Sequence, residues 1–179
     1  MENNEQISMR PTAIRYGLIG GLALVVLNLL LHVTGLVDIA KQTGTWISTL
    51  GQVSLNVAIL VVAIKSYRDG ELGGYITSGQ CIGLGAFMGL IMGIISGIWA
   101  IIFFKFIEPT LIDTMLNTTR EKMIDQGTPT DQIDQAMSMT SMVMTPPMMA
   151  FWSIVGTLFF AVILSAILSI FMKKNPPFH

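Results

Sequence analysis

The sequence predicts an all-α membrane protein: four transmembrane helices, with an extramembrane amphipathic helical hairpin between helices 3 and 4. Three observations carry this. Apolar runs occupy residues 14–37, 46–64, 81–104 and 148–172, each near or above the ~20 residues a helix needs to cross the hydrocarbon core. Charged residues are only 12% of the chain against 52% hydrophobic, about half the charge of a soluble domain. Finally, six of the eleven acids crowd into residues 108–145 against Arg120 and Lys122, so one segment of net charge −4 interrupts an apolar chain.

What this composition excludes is useful. A chain of 179 residues with net charge −1 and no basic arm shows no sign of a nucleic-acid partner. Its single cysteine, Cys81, rules out an internal disulfide framework. The organisation expected is a flexible N-terminal tail (1–11), a transmembrane four-helix bundle (12–107 and 146–174), a helical hairpin (108–145) and a C-terminal tail (175–179).

Helix one is expected from Thr12 to Val37, opened by Arg10-Pro11, since proline suits a first helical turn. Its apolar run is too long for the core of a signal peptide, so it reads as an uncleaved span. Gly17 and Gly21 form a patch for close helix approach, and Asn28 and His32 lie one turn apart on one face. Thr45 is the expected N-cap of helix two, which Trp46 opens. Gln52 and Asn56 make a second i, i+4 polar pair there. An antiparallel hairpin of the two helices sets Asn28 and His32 level with Gln52 and Ser48, as a polar cluster pointing inward and bonding one another. A proton- or ion-handling role centred on His32 is the sharper alternative, for which no intramembrane carboxylate is visible in the sequence.

Residues 65–75 read as a loop, with Gly70, Gly73 and Gly74 as turn residues rather than a phosphate cradle, since no Walker lysine or preceding strand accompanies them. Thr77 followed by Gln80 reads as a capping box that opens helix three. Cys81, just inside, reads as a buried inert thiol. Gly85, Gly89, Gly93 and Gly97 then recur every fourth residue, a glycine-zipper pattern that bares one flank of the helix. Helix four, from Met148 to Met172, carries a matching small-residue row of Ser153, Thr157, Ala161, Ser165 and Ser169. The two rows are expected to pack, within one chain or between copies.

Between these helices, Ile112, Met115, Leu116, Met123 and Ile124 give a helical stripe stopped by Gly127. Thr128-Pro129-Thr130-Asp131 starts a second arm, read as N-cap, proline at N1 and an acid at N3. That arm bears Met137, Met139, Met142 and Met144. Thioethers are soft ligands that select Cu(I), but no histidine or cysteine accompanies them, and methionine is also an adaptable filler of apolar and partner-binding surfaces. Packing or partner contact is the reading; copper is a remote alternative.

Arg10, Arg15, Lys65, Arg68, Lys173 and Lys174 fall on the side of the termini, against Lys41, Lys105, Arg120 and Lys122 opposite. This bias expects cytoplasmic termini and a periplasmic hairpin. Tyr16, Tyr67 and Tyr75 fall at one boundary and Trp46, Trp99 and Trp152 at the other, as aromatic belts.

Laid out in this way, the chain resembles an uncharacterised bacterial family of four-helix membrane proteins, DUF4199. Tyr16-Gly17-Leu18, Lys65-Ser66-Tyr67-Arg68, Gly73-Gly74-Tyr75-Ile76 with Gly79-Gln80, and Phe103 through Pro109 carry the likeness. So do Thr119 through Met123, Gln126-Gly127 and Gln135-Ala136-Met137. The resemblance covers residues 10 to 174 and implies a bacterial inner membrane, but no activity, cofactor or catalytic residue. No nucleophile–base arrangement is visible either, His32 and His179 having no carboxylate or cysteine at telling sequence distance. The function read from the sequence is therefore that of a non-enzymatic membrane protein. It works by association, with the bilayer and with a second copy or another membrane protein, through its helix packing and acidic hairpin. A small transporter or channel subunit, with Asn28, His32, Gln52 and Asn56 lining a path, is the competing reading.

Overall fold

The computed structural model describes residues 8–39 and 43–174. Residues 1–7 of the N-terminal tail, Lys41 and the C-terminal tail 175–179 lie outside them. The described chain forms six helices: α1 (Arg10–Val33), α2 (Thr45–Ser66), α3 (Ser78–Ile102), α4 (Leu111–Asp125), α5 (Thr130–Val143) and α6 (Pro146–Met172). One π-type turn extends α2 through Tyr67–Glu71, and another extends α3 through Phe103–Ile107. With these extensions, four helices of 24, 27, 30 and 27 residues are long and apolar enough to cross a membrane. Their outward faces expose large hydrophobic side chains along the whole length, such as Leu22 and Val26 on α1 and Phe159 and Ile170 on α6. Contiguous apolar surface of this extent belongs in lipid.

Several boundaries differ from the sequence reading. α1 ends at Val33, not Val37, in a turn where Gly35 has positive φ. Thr45 does not cap α2; it is the first helical residue, and Gly44 precedes it in the left-handed region. Only glycine fits there, because φ is 71° and a Cβ would run into the carbonyl oxygen of Leu36. Residues 65–71, expected as loop, are helical, and the loop shrinks to 72–77. Its glycines 73 and 74 do sit at positive φ. The capping box is present, the Thr77 side chain accepting from the Gln80 amide and the Gln80 side chain accepting from the Thr77 amide. α4 closes in a Schellman motif about Gly127 (φ 73°), with Gly127 N–H on Ile124 O and Thr128 N–H on Met123 O. α5 then begins one residue later than expected, with Pro129 at the cap position. α6 begins two residues earlier, both prolines lying in its first turn.

α3 is the centre of the bundle. Its most extensive contact is with α6 and its next with α1, whereas α2 touches α3 and α6 only sparsely. The glycine flank is covered by α6 of the same chain. A Cβ on Gly85 would collide with the Ser165 side chain, and one on Gly89 would lie 2.5 Å from the Ala161 Cβ. At Gly93 it would lie 2.9 Å from the Ile154 carbonyl oxygen, and at Gly97 3.1 Å from that of Ala150. The opposite flank of α3 presses Ile91 and Ile95 into Gly17 and Gly21 of α1, where a Cβ would come within 2.9 and 2.6 Å.

The interior is unevenly filled. In the half nearer the termini, Ala13, Leu60, Ala63, Ile64, Tyr67, Cys81, Leu84 and Met88 form a sealed core. Tyr67 is therefore a core residue and not part of a boundary belt. The loop before α3 is fastened to the exit of α6 by paired backbone hydrogen bonds of Ile76 and Lys174, both 3.0 Å. In the half nearer the hairpin, the α2 residues that line the interior space are Asn56, Gln52 and the exposed Thr49, in place of Leu60 and Ala63. A second hydrophobic cluster of Phe103, Leu111 and Met115, joined by Ile39, Trp99, Phe104 and Met144, packs α4 and the end of α5 over that half.

Candidate functional site

Between the sealed core and the upper cluster lies a cavity of about 510 Å³, within the range of small-molecule sites. All four long helices line it. α1 contributes Asn28 and His32, α2 contributes Thr49, Gln52 and Asn56, α3 contributes Ser96, and α6 contributes Ser153 and Thr157. Trp99, Phe103, Phe104 and Phe160 supply aromatic walls. A second chamber of about 470 Å³ shares Asn28, His32 and Ile39 with the first and is bounded by Val37, Thr45, Ser48 and, from α4, Met115. His32 thus stands at the junction of the two chambers.

The four residues singled out as a polar cluster are together on this wall, but they are not bonded as expected. The Asn28 side-chain amide donates to Leu24 O at 2.9 Å, and that of Asn56 to Gln52 O at 2.8 Å, each one turn back on its own helix. Thr49 likewise donates to Thr45 O. Backbone carbonyls can satisfy one donor of each group locally, so these side chains need no partner on the facing helix. Among the described residues, these bonds of Asn28, Thr49 and Asn56 stay on their own helices, and the space between the helices remains.

His32 also has the acidic neighbour that the sequence did not disclose. Its Nε2 is 3.4 Å from Oε1 of Glu108, a residue 76 positions later that ends the π turn after α3. At that distance the contact is electrostatic and too long for a well-formed hydrogen bond. Phe103 and the imidazole form a T-shaped pair, ring centroids 5.0 Å apart and planes at 87°. Sequence distance concealed this neighbour: Glu108, at the end of the π turn after α3, lies beside the end of α1.

The α6 row divides between two tasks. Ala161 and Ser165 meet the glycines, and Ser169 is buried with its hydroxyl on Ala166 O. Ser153 and Thr157 reach the cavity, Thr157 meeting Gly89 only through its backbone oxygen, and Ile154 and Ala150 carry the contact with Gly93 and Gly97. A strict fourth-residue row winds round a 3.6-residue helix by about 40° per step. Ser153 is three steps from Ser165, so it faces a direction about 120° away. Trp99 is displaced in a similar sense: expected in a boundary belt, it forms cavity wall, whereas Trp46 and Trp152 are exposed.

The methionines of α5 do not converge. Met139 and Met142 are exposed, while Met144 packs on the upper cluster and Met137 is half-buried. A spacing of seven returns Met137 and Met144 to one side of the helix, opposite the other two. Among the described residues no group of three or more His, Cys, Asp or Glu side chains is placed to hold a metal ion.

The wall residues absent from the sequence reading are Thr49, Ser96 and the four aromatics, and the reading also missed Glu108, which touches the wall through His32. Thr49, Gln52 and Asn56 do share the 3–4 spacing of one helical face, so Thr49 was within reach of the pattern. No sequence pattern links Glu108 to α1. Neither a curated protein nor a solved structure matches this chain. Residues 15–174, nearly the whole chain, match the family described as "Protein of unknown function (DUF4199)", and the chain belongs to that family.

Proposed function

We propose that this protein is a solute-binding membrane protein of the transporter or channel-subunit kind, which admits a small molecule into the cavity in the hairpin half of its bundle. The observation that supports this is the convergence of polar side chains from all four long helices on one open space. Polar groups facing lipid are costly, and inside a bundle they mark paths and sites. The glycine flank of α3, which left oligomerisation open in the sequence, is covered by α6 of the same chain. We place the protein in a bacterial inner membrane with cytoplasmic termini, so that the hairpin and the cavity are on the periplasmic side. The lysine and arginine distribution supports that orientation.

Reaction of a cysteine at Ser96 with N-ethylmaleimide in membranes tests access, since thiols react as thiolates and need water. Ser96→Cys should label, and adding Gly156→Trp should block it. Gly156 lines the cavity, and a Cβ there meets nothing within 4 Å, so the indole has space to enter. Labelling unchanged by the tryptophan would count against a ligand path through this space.

A second reading, association through the hairpin, is supported by the apolar side chains that α4 and α5 leave uncovered: Ile124, Met139, Met142 and Val143. Methionine-bearing surfaces suit variable partners. Co-purification from gently solubilised membranes, lost on Met139→Ser with Met142→Ser, would favour it.

A further inference from the structure

The geometry points to a small organic cation as the molecule this cavity takes, an inference that rests on the solute-binding reading above. Trp99, Phe103, Phe104 and Phe160 present aromatic rings to the space, and the face of an aromatic ring attracts a cation, more strongly where water is scarce. The carboxamides and hydroxyls beside them add oxygen acceptors. Among the described residues, neither chamber is lined by a lysine or an arginine, so an anion would find no fixed countercharge there and would enter at a large desolvation cost.

A formal negative charge is at hand. The Glu108 carboxylate lies 3.4 Å from the Nε2 of His32, the residue at the junction of the chambers, and is 40% exposed rather than sealed. A cation at the junction would share that carboxylate with the imidazole. The approach is biased in the same sense. α4, which closes the second chamber through Met115, belongs to the segment 108–145 of net charge −4, and a cleft beneath such a surface gathers cations. Neither Glu108 nor the exposed Lys105 of the same π turn lines a chamber; Glu108 acts at the junction through its contact with His32.

The test uses the full solubilised chain with Ser153→Cys; native Cys81 is fully buried, so the unsubstituted chain is the blank. Reaction rates are compared for two methanethiosulfonates of similar size, the trimethylammonium-ethyl cation and the sulfonatoethyl anion. The same pair at Ser138→Cys, an exposed position on α5, measures the general field of the hairpin. Taking a ratio at each thiol cancels its thiolate fraction. The cation-to-anion ratio at Ser153→Cys should exceed that at Ser138→Cys by roughly tenfold or more. Glu108→Gln should bring the two ratios together, and Glu108→Asp should keep them apart. Equal ratios in the unaltered Glu108 background, with both reagents reacting, would overturn the cation assignment and leave the cavity intact. If neutral N-ethylmaleimide fails to react at Ser153→Cys, the solute-binding reading falls, and the cation inference falls with it.

Discussion

At Gly93 an added methyl carbon would sit 2.9 Å from the carbonyl oxygen of Ile154 and 3.0 Å from its Cα, so the obstacle is backbone and cannot rotate aside. Gly93→Ala should therefore force α3 and α6 apart and lower stability by about 1–3 kcal/mol, the usual cost of overpacking. Gly156→Ala, with open space around it, should be neutral or gain up to about 1 kcal/mol from reduced backbone freedom. Thermal unfolding of the solubilised variants compares the two directly, and equal losses would contradict the packing described. The glycine flank was legible because close approach needs bare backbone at a regular interval, a requirement visible in a single chain. The contact of His32 with Glu108 was not, because it depends on how a π turn re-aims a carboxylate across 76 residues of sequence.

The helical elements were readable where local chemistry fixes them. Thr77 and Gln80 cap α3 as a reciprocal pair, and Gly127 ends α4 by a local motif. The misread positions share a different cause. Residues 65–71 carry charge and a glycine, which reads as loop, yet they stay helical because Tyr67 on that turn is buried in the sealed core and holds it in place. Thr45 lost the cap position to Gly44 because the preceding turn brings the Leu36 carbonyl too close for any side chain. For the hairpin of α4 and α5, a reporter fused at Gly127 should read as external to the cytoplasm. A cytoplasmic signal there would reverse the orientation and put the hairpin half, with its cavity, on the other side.

Taken whole, the molecule is a bundle with one closed half and one open half. The division follows the inward face of α2, where Leu60 and Ala63 give way to Asn56, Gln52 and Thr49. The apolar pair packs tightly at the sealed end. Of the polar trio, Asn56 and Thr49 bond their own helix, and the three line a gap that α1, α3 and α6 complete. The four-helix architecture and the polar cluster were legible in the sequence. That the cluster lines a space rather than closing on itself was not, because it turns on where the amides find their partners.

On the solute-binding reading this space is open to water while the small-residue interface below it is not, and α6 carries both environments. Ser153 lines the cavity, and Ser165 is fully buried against Gly85 on the same helix. The most direct measurement is the rate at which N-ethylmaleimide labels Ser153→Cys and Ser165→Cys in membranes. The structure predicts ready labelling at 153 and none at 165; equal labelling, or labelling at 165 alone, would contradict it.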